Sequence, residues 1–441
     1  MILKMVRVLT LFGLALPAFA QYAGPAILSR GEAPAAMVAP EIKFRPFVEI
    51  TAGYETGLSG VAVTNSQGNL PNADSYDLGL TWGISGSHNW KHTKLGLDYR
   101  GSLSHFQQQT TYDSITQAFL LSFTQQITRH ISLSLRESAG MYTRAFGLGS
   151  LSQTVSFDPS QSYIPTTDFF DNRTYYLSTQ ADLRIQKTAR LSFDLGGDNF
   201  LFRYRAKGLV GTNGLGAHGD VQYRIGRRST IGAGYNFEHF AYNGQFGAAD
   251  VHGFSGTFSR ALAAKLEFSA SLGASRIEQT FIQSVAVDPV IAALLGVATT
   301  TEIAHFVSWI PTGNVRLAQV FRQGVAYVGA GREVVPGNGL FTTSYSNSVS
   351  GGYTYTGVRR WSFSSLAAYD RSKSVGNFIG SYSGVSGGLG ASRQIARSVH
   401  LVFGYNARRY SSTDFHNYNR VIQEGHVGIG FTPGDVPLRI W

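Results

Sequence analysis

Cysteine is absent from all 441 residues. Nothing in the fold is therefore stapled, and an oxidising compartment poses no pairing hazard. Charge is scarce as well: Asp, Glu, Lys and Arg make up 15% of the chain, where a large soluble domain carries about 25%. Long apolar runs are missing. No stretch reaches the roughly 20 residues that a membrane-spanning helix needs. No Gly-x-Ser-x-Gly elbow occurs. The Gly-rich segment Gly387-Gly388-Leu389-Gly390 lies inside an alternating run, so it reads as wall rather than as a phosphate cradle. His88 and His92 sit at a turn, where the i, i+4 geometry of a helical metal pair does not apply. The sequence thus offers no catalytic constellation, cofactor motif or metal site, and the expectation is a protein that is not an enzyme.

Glycine and aromatics fill the gap: 51 Gly, 22 Tyr and 29 Phe, with a mean hydropathy of −0.05. At the N-terminus, Lys4 and Arg7 precede the apolar run Val8–Leu16 and the small-x-small site Ala18-Phe19-Ala20. This is the layout of a secretory signal over 1–20, cleaved before Gln21; the apolar run is too short to anchor. The Ala- and Pro-rich stretch 21–43 has no periodicity and reads as a flexible periplasmic lead-in. The formal charge is +10, but the cations are spread over turns instead of gathered in one stripe, which argues against a nucleic-acid partner.

Short basic turns recur at a spacing of about 38 residues, around Lys91, Arg129, Lys187–Arg190, Arg227, Lys265, Arg322, Arg359 and Arg393–Arg397. A run of alternating character flanks each. Ile115, Gln117, Phe119, Leu121, Phe123, Gln125 and Ile127 share one face, while Thr116, Ala118, Ser122, Thr124 and Gln126 share the other, interrupted by Leu120. Tyr345, Val349, Tyr353 and Tyr355 likewise oppose Ser344, Ser346, Ser348, Ser350 and Thr354. A period of two sustained over such lengths is a strand with lipid on one side and water on the other. A β-propeller also repeats at about 40 residues, but its four strands per blade are half as long.

The fold class expected is therefore all-β: a transmembrane antiparallel up-and-down barrel over 44–431, with about 18 strands (16–20 possible) and a tail at 432–441. Short turns face the periplasm and longer loops face outward. By alternation, Asp77, Asp98, Arg100, Arg136, Asp182, Arg184, Asp220, Arg224, Glu238, Glu267, Arg316, Asp370, Arg408 and Glu424 face the lumen. They read both as a polar pore lining and as cross-strand ion pairs. Their signs nearly cancel, which leaves ion preference open. The period breaks at 145–172 and 280–302. In the second break Asp288, Pro289 and Gly296 bracket a short apolar helix, and Val290, Ile291, Leu294 and Leu295 are expected to form a gating loop at the mouth.

Trp82, Trp90, Trp309 and Trp361 stand near expected strand ends, as an interfacial girdle would place them. With the alternating runs and the signal, they make the mature chain resemble the porin-like outer-membrane barrels of diderm bacteria. That resemblance implies localisation in the bacterial outer membrane and contact with its lipid. It also implies insertion by a barrel-assembly machinery that reads an aromatic end, either Trp441 or the cleaner pattern Val427, Ile429, Phe431. The function expected is an outer-membrane pore for diffusion or export of hydrophilic solutes. An exopolysaccharide conduit and a closed structural or adhesive barrel are the alternatives. The basic turns are expected to meet inner-leaflet phosphates or to dock a periplasmic partner.

Overall fold

Alternation of small polar with apolar residues produces strands and nothing else along the described chain. The computed structural model describes residues 44–58, 73–107, 113–143, 173–205, 209–243, 247–286, 299–337, 339, 342–375, 380–412 and 419–433. These form β1 (Arg45–Leu58), β2 (Ala73–Asn89), β3 (Thr93–Phe106), β4 (Ser114–Gln126), β5 (Ile131–Tyr142), β6 (Thr174–Gln186), β7 (Leu191–Tyr204), β8 (Gly211–Arg224) and β9 (Ser229–Asn243). There follow β10 (Gly247–Ala263), β11 (Leu266–Ala286), β12 (Thr299–Val320), β13 (Gly324–Val335), β14 (Ser344–Tyr355), β15 (Trp361–Ser374), β16 (Ser381–Ala396), β17 (Val399–Ser412) and β18 (Arg420–Phe431). The strand number expected from sequence, 18, is the one found.

Each strand pairs antiparallel with its sequence neighbours, and β1 closes the ring against β18 from Val48↔Phe431 to Thr56↔Gln423. Closure pairs every strand on both sides, the β13-side edge of β12 staying open only beyond Gly313. The outward face is apolar: Leu272 is 70% exposed, Leu389 62% and Tyr76 61%. The inward face carries Ser, Thr, Gly and most of the charges. This is the inverse of a soluble domain and the pattern of a barrel whose outer solvent is hydrocarbon.

An aromatic band edges the belt at the short-turn end. Trp361 and Phe363 stack at 5.5 Å, Tyr353 and Tyr355 at 6.2 Å, and the Arg393 guanidinium lies 5.4 Å from the Trp361 ring. Trp82 departs from the girdle expectation. It lies in the interior of β2, outward, with its ring over Gly101, where a Cβ would stand 2.5 Å from it. Trp309 is also interior to its strand, because β12 runs further than the periodicity indicated.

The second break in the period needs correcting. Of 280–302, residues up to Ala286 belong to β11 and residues from Thr299 to β12, paired through Ala286↔Thr299. Pairing of β12 with β13 stops at Gly313↔Arg332 and pairing of β11 with β10 at Gly247↔Phe281, so the ends of β11 and β12 beyond Phe281↔Ala304 form a two-stranded ribbon rising past both neighbouring strands. Thr300, Thr301 and Glu302 make its outer end polar, which broke the visible alternation while the backbone pairing continued. Val290, Ile291, Leu294 and Leu295 lie outside the described residues, as do 145–172, the signal, the lead-in and Trp441.

Candidate functional site: the lumen and its narrowed mouth

The inward face of β6–β9 carries an excess of acids. Strand register sets three rows: Arg184, Asp194 and Asp220; then Asp182 and His218; then Gln180, Asp198 and Glu238. Arg184 Nη2 donates to Asp194 Oδ2 at 2.6 Å, and His218 Nε2 lies 3.2 Å from Asp182 Oδ1. Ligand atoms of Asp182, Asp194 and His218 all come within 4.8 Å of one another. The Arg184 bond already supplies a cation to Asp194, so the group reads as an ion-pair network rather than a metal seat.

Glycine explains how so many acids fit on one wall. A Cβ at Gly384 would stand 2.7 Å from Asp370 Oδ1; one at Gly53, Gly196, Gly216 or Gly234 would overlap Asp77, Asp182, Asp198 or Asp220. Each carboxylate therefore lies flat over a glycine of the adjacent strand instead of projecting into the lumen. Gly in a strand weakens it, and close approach by another group is the usual reason for one there.

All fourteen residues assigned to the lumen from sequence fall on the inward side of the strand alternation. The structure brings several together. Arg100 Nε donates to Asp98 Oδ1 at 3.3 Å, Arg136 Nη1 donates to Gln180 Oε1 at 3.2 Å, and Asn406 Nδ2 donates to Glu424 Oε2 at 3.4 Å. Glu267 stands diagonal to Arg316 and Asp370 interacts with Arg408 across β16. Arg224 stays apart at the short-turn end of β8. Sequence reading passed over the acids Glu49, Glu55, Asp194, Asp198 and Glu333 and the bases Arg45 and Arg420, although all obey the same alternation. Their inclusion upsets the near balance of charge. On β6–β9, Asp182, Asp194, Asp198, Asp220 and Glu238 face Arg184, Arg224 and His218.

Above the acidic rows the inner wall turns aromatic. Tyr142, Tyr176, Phe200, Phe202, Phe240 and Tyr242 form one buried cluster with Val210, Val251, Ile277, Ile310 and Val375. Against it rests the connection between β13 and β14, which folds inward across the mouth. Val210 N–H donates to Gly339 O at 2.9 Å, and Val375 N–H donates to Thr343 O at 3.0 Å. Tyr242 Oη and Thr343 Oγ1 are 2.6 Å apart, and Gln279 Nε2 donates to Thr342 Oγ1 at 3.2 Å. Gly339 has φ +89°, and a Cβ there would stand 2.9 Å from Tyr204 Cε2 and 3.2 Å from Leu209 Cβ. Both the conformation and the close approach demand glycine. Sequence reading missed this constriction because Pro336-Gly337-Asn338-Gly339 looks like any turn. The contacts that pull it inward come from strands distant in sequence.

A closed antiparallel barrel with an apolar exterior, a polar interior, short turns at one end and longer connections at the other is a porin-like β-barrel of the bacterial outer membrane. No protein-family model matches the chain, and no curated protein does. Among solved structures, Pseudomonas aeruginosa OccK2 (OpdF) in complex with glucuronate aligns at TM-score 0.42 and 11% identity, covering 91% of this chain and 100% of that one. A BenF-like porin from Pseudomonas fluorescens Pf-5 aligns at 0.42 and 11%, covering 88% and 98%. The ferric yersiniabactin uptake receptor FyuA from Yersinia pestis aligns at 0.38 and 11%; this chain covers 88% of itself and 66% of that receptor, just under two thirds. The assignment to the barrel class rests on the strand pairing, not on these scores.

Proposed function

We propose that the barrel is a passive channel for small hydrophilic solutes, selective for cations and positively charged solutes, with its external mouth narrowed by the β13–β14 connection. The observation that carries this reading is the stacking of two features on one wall: the docked connection at Gly339, Thr342 and Thr343, and the acidic rows of β6–β9 directly beneath it. A solute that passes the connection meets Glu238, Asp198, Asp182 and Asp220 in turn. Charges inside a low-dielectric wall raise the local concentration of the opposite sign and set preference. Wall charges held flat on glycine keep the lumen wide, so the preference is graded rather than absolute.

The experiment is a reversal-potential measurement across a planar bilayer with a KCl gradient. The native channel is expected to favour K⁺, and Asp182→Asn, Asp198→Asn and Glu238→Gln combined are expected to shift the permeability ratio toward Cl⁻ by about threefold or more. A native channel that favours Cl⁻, or a ratio unmoved by the triple substitution, overturns the reading. Buried aromatic packing beneath the connection favours a second reading, a barrel that stays closed until a partner displaces the connection. Its mark is negligible conductance of the native protein that appears only when the connection is released.

A further inference from the structure

The outward face of the barrel carries one sector of unbalanced charge. Arg332 on β13 and Arg371 on β15 flank Asn347 of β14 in one row, Lys373 lies one outward step further along β15, and Arg409 of β17 lies one step back. Arg371, Lys373 and Arg409 point away from the lumen on the face of Val349, Val385 and Tyr405, and Arg332, half-buried, occupies the same strand parity as Val328. Arg371, Lys373 and Arg409 are exposed, and the Arg332 guanidinium sits 4.4 Å above the Tyr345 ring. Among the described residues none of the four has an ion-pair partner, and no Asp or Glu shares the outward face of β13–β18.

The adjoining sector shows what a neutralised surface looks like in the same protein. On β9–β12 the outward His239 lies 2.6 Å from Asp250, and Arg276 pairs with Glu278. That sector stands at the same kind of boundary, where the apolar belt ends beside Trp309. Two like positions on one barrel are therefore treated differently. One cancels its charge within the sheet, and the other holds four cations with no ion-pair partner among the described residues.

Depth indicates the partner. From Trp361 at the short-turn end of β15 to Arg371 is roughly ten residues, about 25 Å along the barrel axis for strands tilted about 40°. That is the height of the apolar belt, so the four cations stand at the level of the external headgroups. We infer that this sector binds the phosphate groups of a phosphorylated lipid in the external leaflet, as a docking surface that rests on the membrane-spanning reading above. Three guanidinium forks and a flexible ammonium within a few strand spacings suit phosphate, which Arg takes bidentately and Lys as a point charge. Tyr345 holds Arg332 against the wall through the cation–π contact and orients its fork.

The test uses the full barrel in detergent, with bound lipid measured by native mass spectrometry and diphosphorylated lipid A, its monophosphorylated form and phosphatidylcholine as probes. The variant Arg332→Gln, Arg371→Gln, Lys373→Gln, Arg409→Gln is expected to lose at least tenfold in retained diphosphorylated lipid A, about threefold in the monophosphorylated form, and nothing in phosphatidylcholine. A control with Arg129, Arg227, Arg228 and Arg359 of the short turns changed to Gln is expected to keep native retention. Retention unchanged in the first variant, or lost equally in the control, overturns the inference. Heat-modifiable electrophoretic mobility and bilayer conductance report separately on the barrel itself; if the fourfold variant fails to fold, Arg371→Gln with Lys373→Gln is measured instead, with at least a threefold loss expected.

Discussion

Replacing Gly339 with valine should open the external mouth. Residue 339 sits at φ +89°, a region closed to β-branched side chains, and strain there costs about 1–3 kcal/mol. A Cβ would also stand 2.9 Å from the Tyr204 ring, and overfilling a packed site adds about 1–3 kcal/mol. Relief requires the backbone to move, which gives up the bond from Val210 N–H to Gly339 O. Against the driving strain of about 2–6 kcal/mol stand that bond and the anchors at Tyr242, Gln279 and Val375, together worth about 2–6 kcal/mol. The two are of similar size, so the connection should leave its seat for much of the time. Each 1.4 kcal/mol is a factor of about ten in that balance.

The assay is single-channel recording of the refolded protein in planar bilayers. Gly339→Val should raise the conductance step or the open fraction, and Tyr242→Phe, which removes only the 2.6 Å contact to Thr343, should show the same change more weakly. A folded Gly339→Val channel with the native conductance step and open fraction would refute the argument that this connection narrows the mouth. Deleting 287–298 in parallel separates the alternatives. The gating expectation for Val290–Leu295 requires a rise in conductance, whereas narrowing by the β13–β14 connection alone requires none.

Two further outcomes follow from the wall. Gly234→Ala should force Asp220 off its seat and into the lumen, lowering conductance while increasing preference for K⁺; measured together, the two changes exclude simple misfolding. Asp194→Leu alone should destabilise the barrel by about 1–3 kcal/mol, because it removes the 2.6 Å charge-assisted bond from Arg184, while Asp194→Leu with Arg184→Met should recover most of the loss in urea unfolding from detergent micelles.

Much of the wall was legible from sequence because a barrel strand writes its two solvents into alternate residues. The face of Ile115 to Ile127 could be read directly, and so could the inward placement of Asp98 and Arg100. Legibility failed where alternation ceased to report on solvent. The distal ends of β11 and β12 rise beyond the apolar belt, so both faces meet water and Thr299–Glu302 shows no period although its backbone is paired. Trp82 misled for the opposite reason: it fills the space over Gly101 within the sheet, a packing role that hydropathy does not distinguish from a girdle. The docking of Gly339 against Tyr204 and Val210 joins positions far apart in the chain, and no local pattern carries that information.

The glycines of the inner face link these readings. Water on that side of the wall would be satisfied by any small polar residue, and serine supplies this along β14. Glycine is used instead where a neighbour needs the space: beneath Asp77, Asp182, Asp198, Asp220 and Asp370, and at Gly339 beneath the Tyr204 ring. Acids that lie flat contribute their charge without occupying the lumen, whereas the connection docked at Gly339 is proposed to narrow it. The chain therefore keeps field and obstruction apart, the first along β6–β9 and the second above them. Selectivity and conductance should accordingly respond to different substitutions, so a variant of Asp182, Asp198 or Glu238 that changed conductance as strongly as Gly339→Val would show that the two are not separate.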